Sequence, residues 1–140
     1  MESRVTVSPP SPARSTTITA LQARTSTCAV SQNSSGEVRA TVIDLGVGRP
    51  VTFLHGLVGL NDHWEGVVER VSTRNRCVLF EIPLLQLRGE DCSINGATRM
   101  TVEFLREYVR EPSVLVGNSF GGHVALKIAL EHPELVAGLV

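Results

Sequence analysis

Gly117-Asn118-Ser119-Phe120-Gly121 lies between an apolar run, Val114-Leu115-Val116, and an amphipathic stretch from Gly121 to Glu131. That order predicts a strand, a sharp turn and a helix, with one serine at the apex. Small residues flank the serine because its backbone is strained, and bulk at Gly117 or Gly121 would crowd strand and helix together. The turn leaves the hydroxyl clear of the sheet at the start of a helix. There the N-terminal dipole and the free backbone N–H groups favour developing negative charge.

The pattern on either side of this turn fixes the fold class. Val38 to Leu45 alternates and reads as a strand, Gly46-Val47-Gly48-Arg49-Pro50 as a turn, and Val51 to Leu54 as a short buried strand. Asn61 or Asp62 then caps a helix to about Ser72 that buries Trp64, Val67, Val68 and Val71 on one face. Arg76 to Ile82 is another buried strand, ended by Pro83. Leu84 to Gly96 shows no clear period. Thr98 to Arg110 returns to helical spacing with Val102, Leu105 and Val109 on one side, and Pro112 breaks it. His132-Pro133 ends the helix that follows Ser119, because a residue before proline avoids the helical region. Leu135 to Val140 opens a further strand. Strands alternating with helices predict an α/β fold, a mostly parallel sheet with helices on both faces, over residues 37–140. In such sheets chemistry gathers at the carboxyl ends of the strands, which is where the loops after Leu54 and Val116 both fall.

Residues 1–36 differ from the rest. Fourteen of them are Ser or Thr, Pro9, Pro10 and Pro12 interrupt any period, and Glu2 is the only acid. Such a stretch buries too little apolar surface to offset its ordering entropy, and it is expected to be a disordered tail. Its arginines and its shortage of acid also allow an organelle transit peptide, so the expected cytoplasmic location carries that alternative. The hydrophobic fraction of 42% suits one soluble domain. A net charge of −1 with no basic cluster argues against nucleic acid as a partner. Cys28, Cys77 and Cys92 lack metal-ligand spacing and read as free thiols, Cys77 on a buried strand. No apolar run reaches the roughly 20 residues of a membrane-spanning helix. No metal or cofactor is expected, the partner is a small-molecule substrate, and the oligomeric state is not encoded in any visible pattern.

Ser119 is the expected nucleophile. A serine hydroxyl is weak at neutral pH and needs a base to take its proton, together with donors for the oxyanion formed on attack at a carbonyl. One donor would be the backbone N–H of Phe120, next after the nucleophile. The second would come from His55-Gly56-Leu57, with the N–H of Leu57 as the donor and Gly56 letting the backbone turn inward. The glycine pattern is not a dinucleotide fingerprint, since Ser119 stands where the second glycine would, and it lacks the Gly-Lys-Ser/Thr ending of a phosphate loop.

Phe53-Leu54-His55-Gly56-Leu57, Trp64 and the run from Leu115 to Ala125 resemble the N-terminal half of an α/β-hydrolase, and Glu131 to Val136 is similar to the segment that leads this family into its next strand. The resemblance covers about residues 38–140. It identifies the turn at Ser119 as the family's nucleophile elbow and implies hydrolysis of an ester, thioester, amide or related acyl substrate. Relatives that dehalogenate or open epoxides usually carry aspartate where Ser119 stands. The chain departs from the family in two places. The loop that often reads Asp-x-Pro-Gly-x-Gly-x-Ser is Glu81 to Ser93 here, keeping only the proline, one glycine and a serine. The family's triad acid and histidine follow later strands, which this chain does not reach, so the chain is expected to be a fragment that is inactive alone. The alternative is a non-catalytic binding remnant of the fold. None of the histidines in hand replaces the missing base: His55 braces the oxyanion loop, His123 lies one turn down the helix, His132 lies at its far end, and His63 sits on another helix. Trp64 and Phe104 are expected in the core, and Glu90 and Asp91 in a solvated loop.

Overall fold

The structure is a computed structural model that describes residues 7–8, 24–32 and 36–140. Its strands are β1 (Val7–Ser8), β2 (Arg24–Gln32), β3 (Gly36–Leu45), β4 (Pro50–Leu54), β5 (Arg76–Glu81), β6 (Ser113–Gly117) and β7 (Val136–Leu139). They form one sheet in the order β1-β2-β3-β5-β4-β6-β7. Strands β5, β4, β6 and β7 are mutually parallel, while β1, β2 and β3 add to the β5 side as antiparallel neighbours. Three helices connect the parallel strands: α1 (Glu65–Val71), entered through a 3₁₀ turn at Asn61–Trp64, α2 (Ile94–Phe104), which runs on into a π-helical turn at Leu105–Val109, and α3 (Phe120–Glu131).

The strand period of two explains why helices cover both faces. Along β5, Cys77 and Leu79 point to one side and Val78 and Phe80 to the other, and all four are fully buried. On the first side they meet Ile43, Phe53 and Val68, the last from α1, with Trp64 and Val71 packed against them. On the second side they meet Met100 and Phe104 of α2 and Val124 and Ile128 of α3. Phe80 stacks on Phe104 with ring centroids 4.1 Å apart, an offset from area burial that adds about 0.5–1.5 kcal/mol. At the amino ends of the parallel strands Arg76 donates to Asp44 from Nε (3.1 Å) and Nη2 (2.7 Å), and Tyr108 donates to the same carboxylate (3.2 Å). This triad ties β3, β5 and the end of the π-helical turn together, and the hydrogen bond with Asp44 raises the Arg76 pKa.

Four expectations differ from what is observed. First, Arg24–Gln32 pairs with β3 over its whole length, and Val7–Ser8 pairs with β2, within the stretch expected to be disordered. The Ser/Thr content that suggested a tail also supplies β-branched residues, which suit a strand added at a sheet edge. The rest of that expected tail lies outside the described residues. Second, no side chain caps the turn at Asn61. Asn61 is buried and donates from Nδ2 to Leu79 O at 3.4 Å, and Val67 is about half exposed rather than in the core. Third, α2 begins at Ile94 rather than Thr98, because the Ser93 hydroxyl accepts from Gly96 N–H at 3.0 Å and caps the helix. Fourth, Asp91 is fully buried and paired with Arg99, while Glu90 is exposed as expected. Phe104 is buried in the core as expected.

Candidate active site

Strand β6 ends at Gly117, and α3 starts three residues later at Phe120. To reverse so sharply, Ser119 adopts φ 51° and ψ −114°. Among the described residues only Arg110 shares a positive φ without being glycine. For a residue with a Cβ such a conformation costs about 1–3 kcal/mol, so the surroundings must hold it. They do so through backbone bonds on both sides. Asn118 N–H donates to Leu54 O (3.1 Å), Gly121 N–H to Asn118 O (2.9 Å), and His123 N–H to Ser119 O (3.1 Å).

The flanking glycines are there because atoms occupy the space a side chain would need. A Cβ at Gly121 would lie 2.1 Å from Leu54 O and 2.6 Å from His55 O, and one at Gly117 would lie 2.6 Å from Gly122 Cα. The carbonyls that exclude a side chain at Gly121 belong to the end of β4 and its loop. Parallel pairing of β4 with β6, Leu54 opposite Gly117, therefore delivers both loops to one place. A Cβ at Gly56 would sit 3.0 Å from Asn118 Oδ1 and 3.5 Å from the Ser119 Cβ, so the His55-Gly56-Leu57 loop runs directly against the serine turn. Within that loop, Gly56 O accepts from Gly59 N–H (2.9 Å) and from His55 Nδ1 (2.7 Å), and His55 is 3% exposed.

Ser119 is exposed at the apex, while Leu57 turns its side chain to solvent. Phe120 opens α3, where the helix itself offers no carbonyl to its N–H, and the N–H of Leu57 makes no backbone hydrogen bond among the described residues. A cavity of about 210 Å³ opens beside the two loops, lined by His55, Gly56, His63, Trp64 and Asn118. Trp64 thus serves twice: one part of its ring packs on Phe53 with centroids 5.3 Å apart, and the residue also forms a cavity wall. His63 and Asn118 were not expected to line a cavity; the side each faces follows from the 3₁₀ turn and from the strained apex, neither of which has a periodic signature. His123 is exposed one turn along α3, and His132 lies at the helix end between Arg106 (3.3 Å) and Glu134 (3.6 Å). The Ser119 hydroxyl makes no hydrogen bond to a histidine or carboxylate among the described residues. Among those residues no group of three or more His, Cys, Asp or Glu could hold a metal ion, and no helix is long and apolar enough to cross a membrane.

This arrangement, a parallel sheet with a serine on a strained strand-to-helix turn against a His-Gly loop, is an α/β-hydrolase architecture, and comparison with known proteins agrees. The chain is 34% identical over 95 residues to a pimeloyl-[acyl-carrier protein] methyl ester esterase from Nitrosomonas europaea, covering 68% of this chain and 37% of that protein. It is 31% identical over 114 residues to a 2-hydroxymuconate semialdehyde hydrolase from a Pseudomonas species, covering 74% and 39% respectively. Among solved structures, an α/β-hydrolase from a sediment metagenome of the Mar Chica lagoon superposes with a TM-score of 0.67 at 30% identity, covering 79% of this chain and 49% of that one. An epoxide hydrolase from Vigna radiata, at 20% identity and a TM-score of 0.72, shares the fold. No family model matches the chain. The chain belongs to the α/β-hydrolase fold family, and it spans less than two fifths of the length of the Nitrosomonas relative.

Proposed function

We propose that Ser119 is the nucleophile of a serine hydrolase acting on an ester or related carbonyl substrate. The observation that carries this reading is the backbone of Ser119 itself. A strained φ of 51° on a non-glycine residue has a cost that a connecting turn could avoid by placing glycine there. The strain is intelligible where a hydroxyl must be presented at a helix N-terminus, the geometry of a nucleophile elbow. Attack by Oγ on the carbonyl carbon would place the developing oxyanion between the N–H groups of Phe120 and Leu57, each worth about 2.7–4 kcal/mol in the transition state. The intermediate would collapse to an acyl-enzyme by breaking the bond to the leaving group, which takes the proton removed from Ser119. Water would then hydrolyse the acyl-enzyme to the acid and free Ser119. Acyl chemistry is also the simplest common ground with the esterase relative, whereas the epoxide hydrolase likeness speaks for the fold alone.

In this reading the general base and the acid that orients it are supplied by residues outside this 140-residue sequence, as is cover for the β7 edge. The 140-residue chain by itself is then nearly inert. A fluorophosphonate probe tests both halves of the proposal. The expected outcome is negligible labelling of the chain alone, and strong labelling, abolished by Ser119→Ala, once the coding frame beyond Val140 contributes an Asp or Glu and a His. A longer folded protein with both residues and no labelling at Ser119 would refute the nucleophile assignment.

A further inference from the structure

We propose that His55 is a positioning residue that sets the direction of the Leu57 N–H by clamping the Gly56 carbonyl; this rests on the reading of Leu57 as an oxyanion donor. Gly56 O and Leu57 N–H belong to one peptide unit. No peptide bond in the described chain is cis, so the two groups lie in one plane and point in opposite directions. Whatever holds the carbonyl therefore aims the N–H. Two donors hold it, His55 Nδ1 at 2.7 Å and Gly59 N–H at 2.9 Å, as many as the two lone pairs of a carbonyl oxygen accept. Turning the peptide over would strand both donors. His55 could not then turn to water, since it is 3% exposed.

The same bond fixes the chemistry of the ring. A carbonyl oxygen only accepts, so Nδ1 must carry a proton, and the neutral form of His55 is the Nδ1–H tautomer. Its other nitrogen, Nε2, is buried and without a hydrogen-bond partner among the described residues. The imidazole thus acts through one nitrogen, on the backbone, and makes no hydrogen bond to Ser119. Gly56 completes the device. It lets the clamped peptide lie against Asn118 and Ser119, where a Cβ would come within 3.0 Å of the Asn118 side chain.

Side-chain amides separate this role from mere filling of space. The Nδ2 of asparagine reproduces the place of His55 Nδ1, whereas the nitrogen of glutamine reproduces that of Nε2. The experiment is a titration of the whole chain with methylphosphonate, a small anion that mimics the oxyanion, followed through the amide N–H resonances of Leu57 and Phe120. In the native sequence both amides shift together. H55Q is expected to uncouple Leu57, leave Phe120 responding, and weaken binding about tenfold, the loss of one charge-assisted hydrogen bond. H55N is expected to restore both shifts. Equal responses at Leu57 in the native protein, H55N and H55Q would overturn the positioning role while leaving the oxyanion site standing. No response at either amide in the native protein would remove the oxyanion reading and this proposal with it. The ring nitrogens of the native protein supply a check that needs no variant: a ¹⁵N spectrum showing Nδ1 without its proton in the neutral ring would rule the clamp out.

Discussion

The two flanks of strand β6 are built on opposite principles. On the β4 side the tightest approaches are made by backbone, Gly121 against Leu54 O and Gly117 against Gly122, while the Gly56 carbonyl is held by one backbone donor and the His55 ring. On the β7 side no further strand pairs among the described residues, and Leu126, Leu130 and Leu139 are 48%, 75% and 45% exposed. The first flank is determined within this chain, because backbone atoms offer no freedom to relax. The second presents an apolar surface and an unpaired strand edge of the kind proteins normally cover. The tightly held flank and the uncovered one are thus separated by one strand, and substitutions on the two sides should behave very differently.

The largest effect is expected at Gly121. Valine there would drive a side chain into Leu54 O, a backbone atom that cannot move without breaking β4 from β6. The overpacking cost is about 3 kcal/mol or more, which in a small domain removes the cooperative transition in urea denaturation. Gly122→Ala is the control one residue on. The nearest atom to its Cβ is 3.5 Å away, so the helical preference for alanine should leave stability unchanged or raise it by about 0.5–1 kcal/mol. Equal losses at both positions would show that the tight flank is not where the backbone distances place it.

The interior beneath this flank offers a pH probe. Cys77 of β5 is fully buried, and burial, with the nearby Asp44 charge, pushes its thiol up to about 11 from an ordinary value of 9.0. The folded state therefore holds the proton more tightly than the unfolded state. Its contribution is complete below pH 9.0 and lost as the pH rises toward 11, at up to about 1.4 kcal/mol per pH unit. Unfolding free energies measured from pH 8 to 11 should show this fall, and Cys77→Ala should flatten it. Exposed Cys92 should react with a thiol reagent in the native protein while Cys77 waits for unfolding.

Much of the tight flank was legible in the sequence, since glycine leaves a mark wherever backbone approaches backbone. Gly117, Gly121 and Gly56 could be read as close-approach positions, and alternating strands and helices placed their loops at one sheet edge. What escaped notice had no such mark. The Ser93 cap and Asp91 lie in a stretch without period, so nothing in the spacing separates an aspartate buried against Arg99 from a solvated one. Strand β2 was hidden by composition, because serine and threonine suit both a solvated tail and a sheet edge. The clamp on Gly56 O joins a side chain to the next residue's carbonyl, a contact that sequence distance leaves invisible.

A smaller effect separates geometry from chemistry at the apex. Ser119→Gly removes the Cβ that is strained at φ 51° and should stabilise the fold by about 1 kcal/mol, after allowing for the entropy glycine adds to the unfolded chain. Ser119→Ala keeps the Cβ and should gain nothing. If thermal melts show both variants equally stable, the turn carries no strain at this residue, and the reason for reading it as a nucleophile weakens.

The smallest effect belongs to the open flank. Leu130→Glu changes a side chain that is 75% exposed near the end of α3, so the monomer's stability should move by no more than about 0.5 kcal/mol. Ile128→Ala, two residues earlier on the buried face of the same helix, should cost about 2–5 kcal/mol. The pair measures how sharply α3 divides between a packed face and an uncovered one. The informative outcome is a change in sign with context: in a longer protein where the β7 side is covered, Leu130→Glu would bury a charge against apolar neighbours and become destabilising. The same substitution, measured in the 140-residue chain and in a longer protein, therefore reports whether this flank is completed by further structure. A near-zero value in both would mean that the flank stays open to solvent, and that the residues supplying base and acid to Ser119 do not approach it from the α3 side.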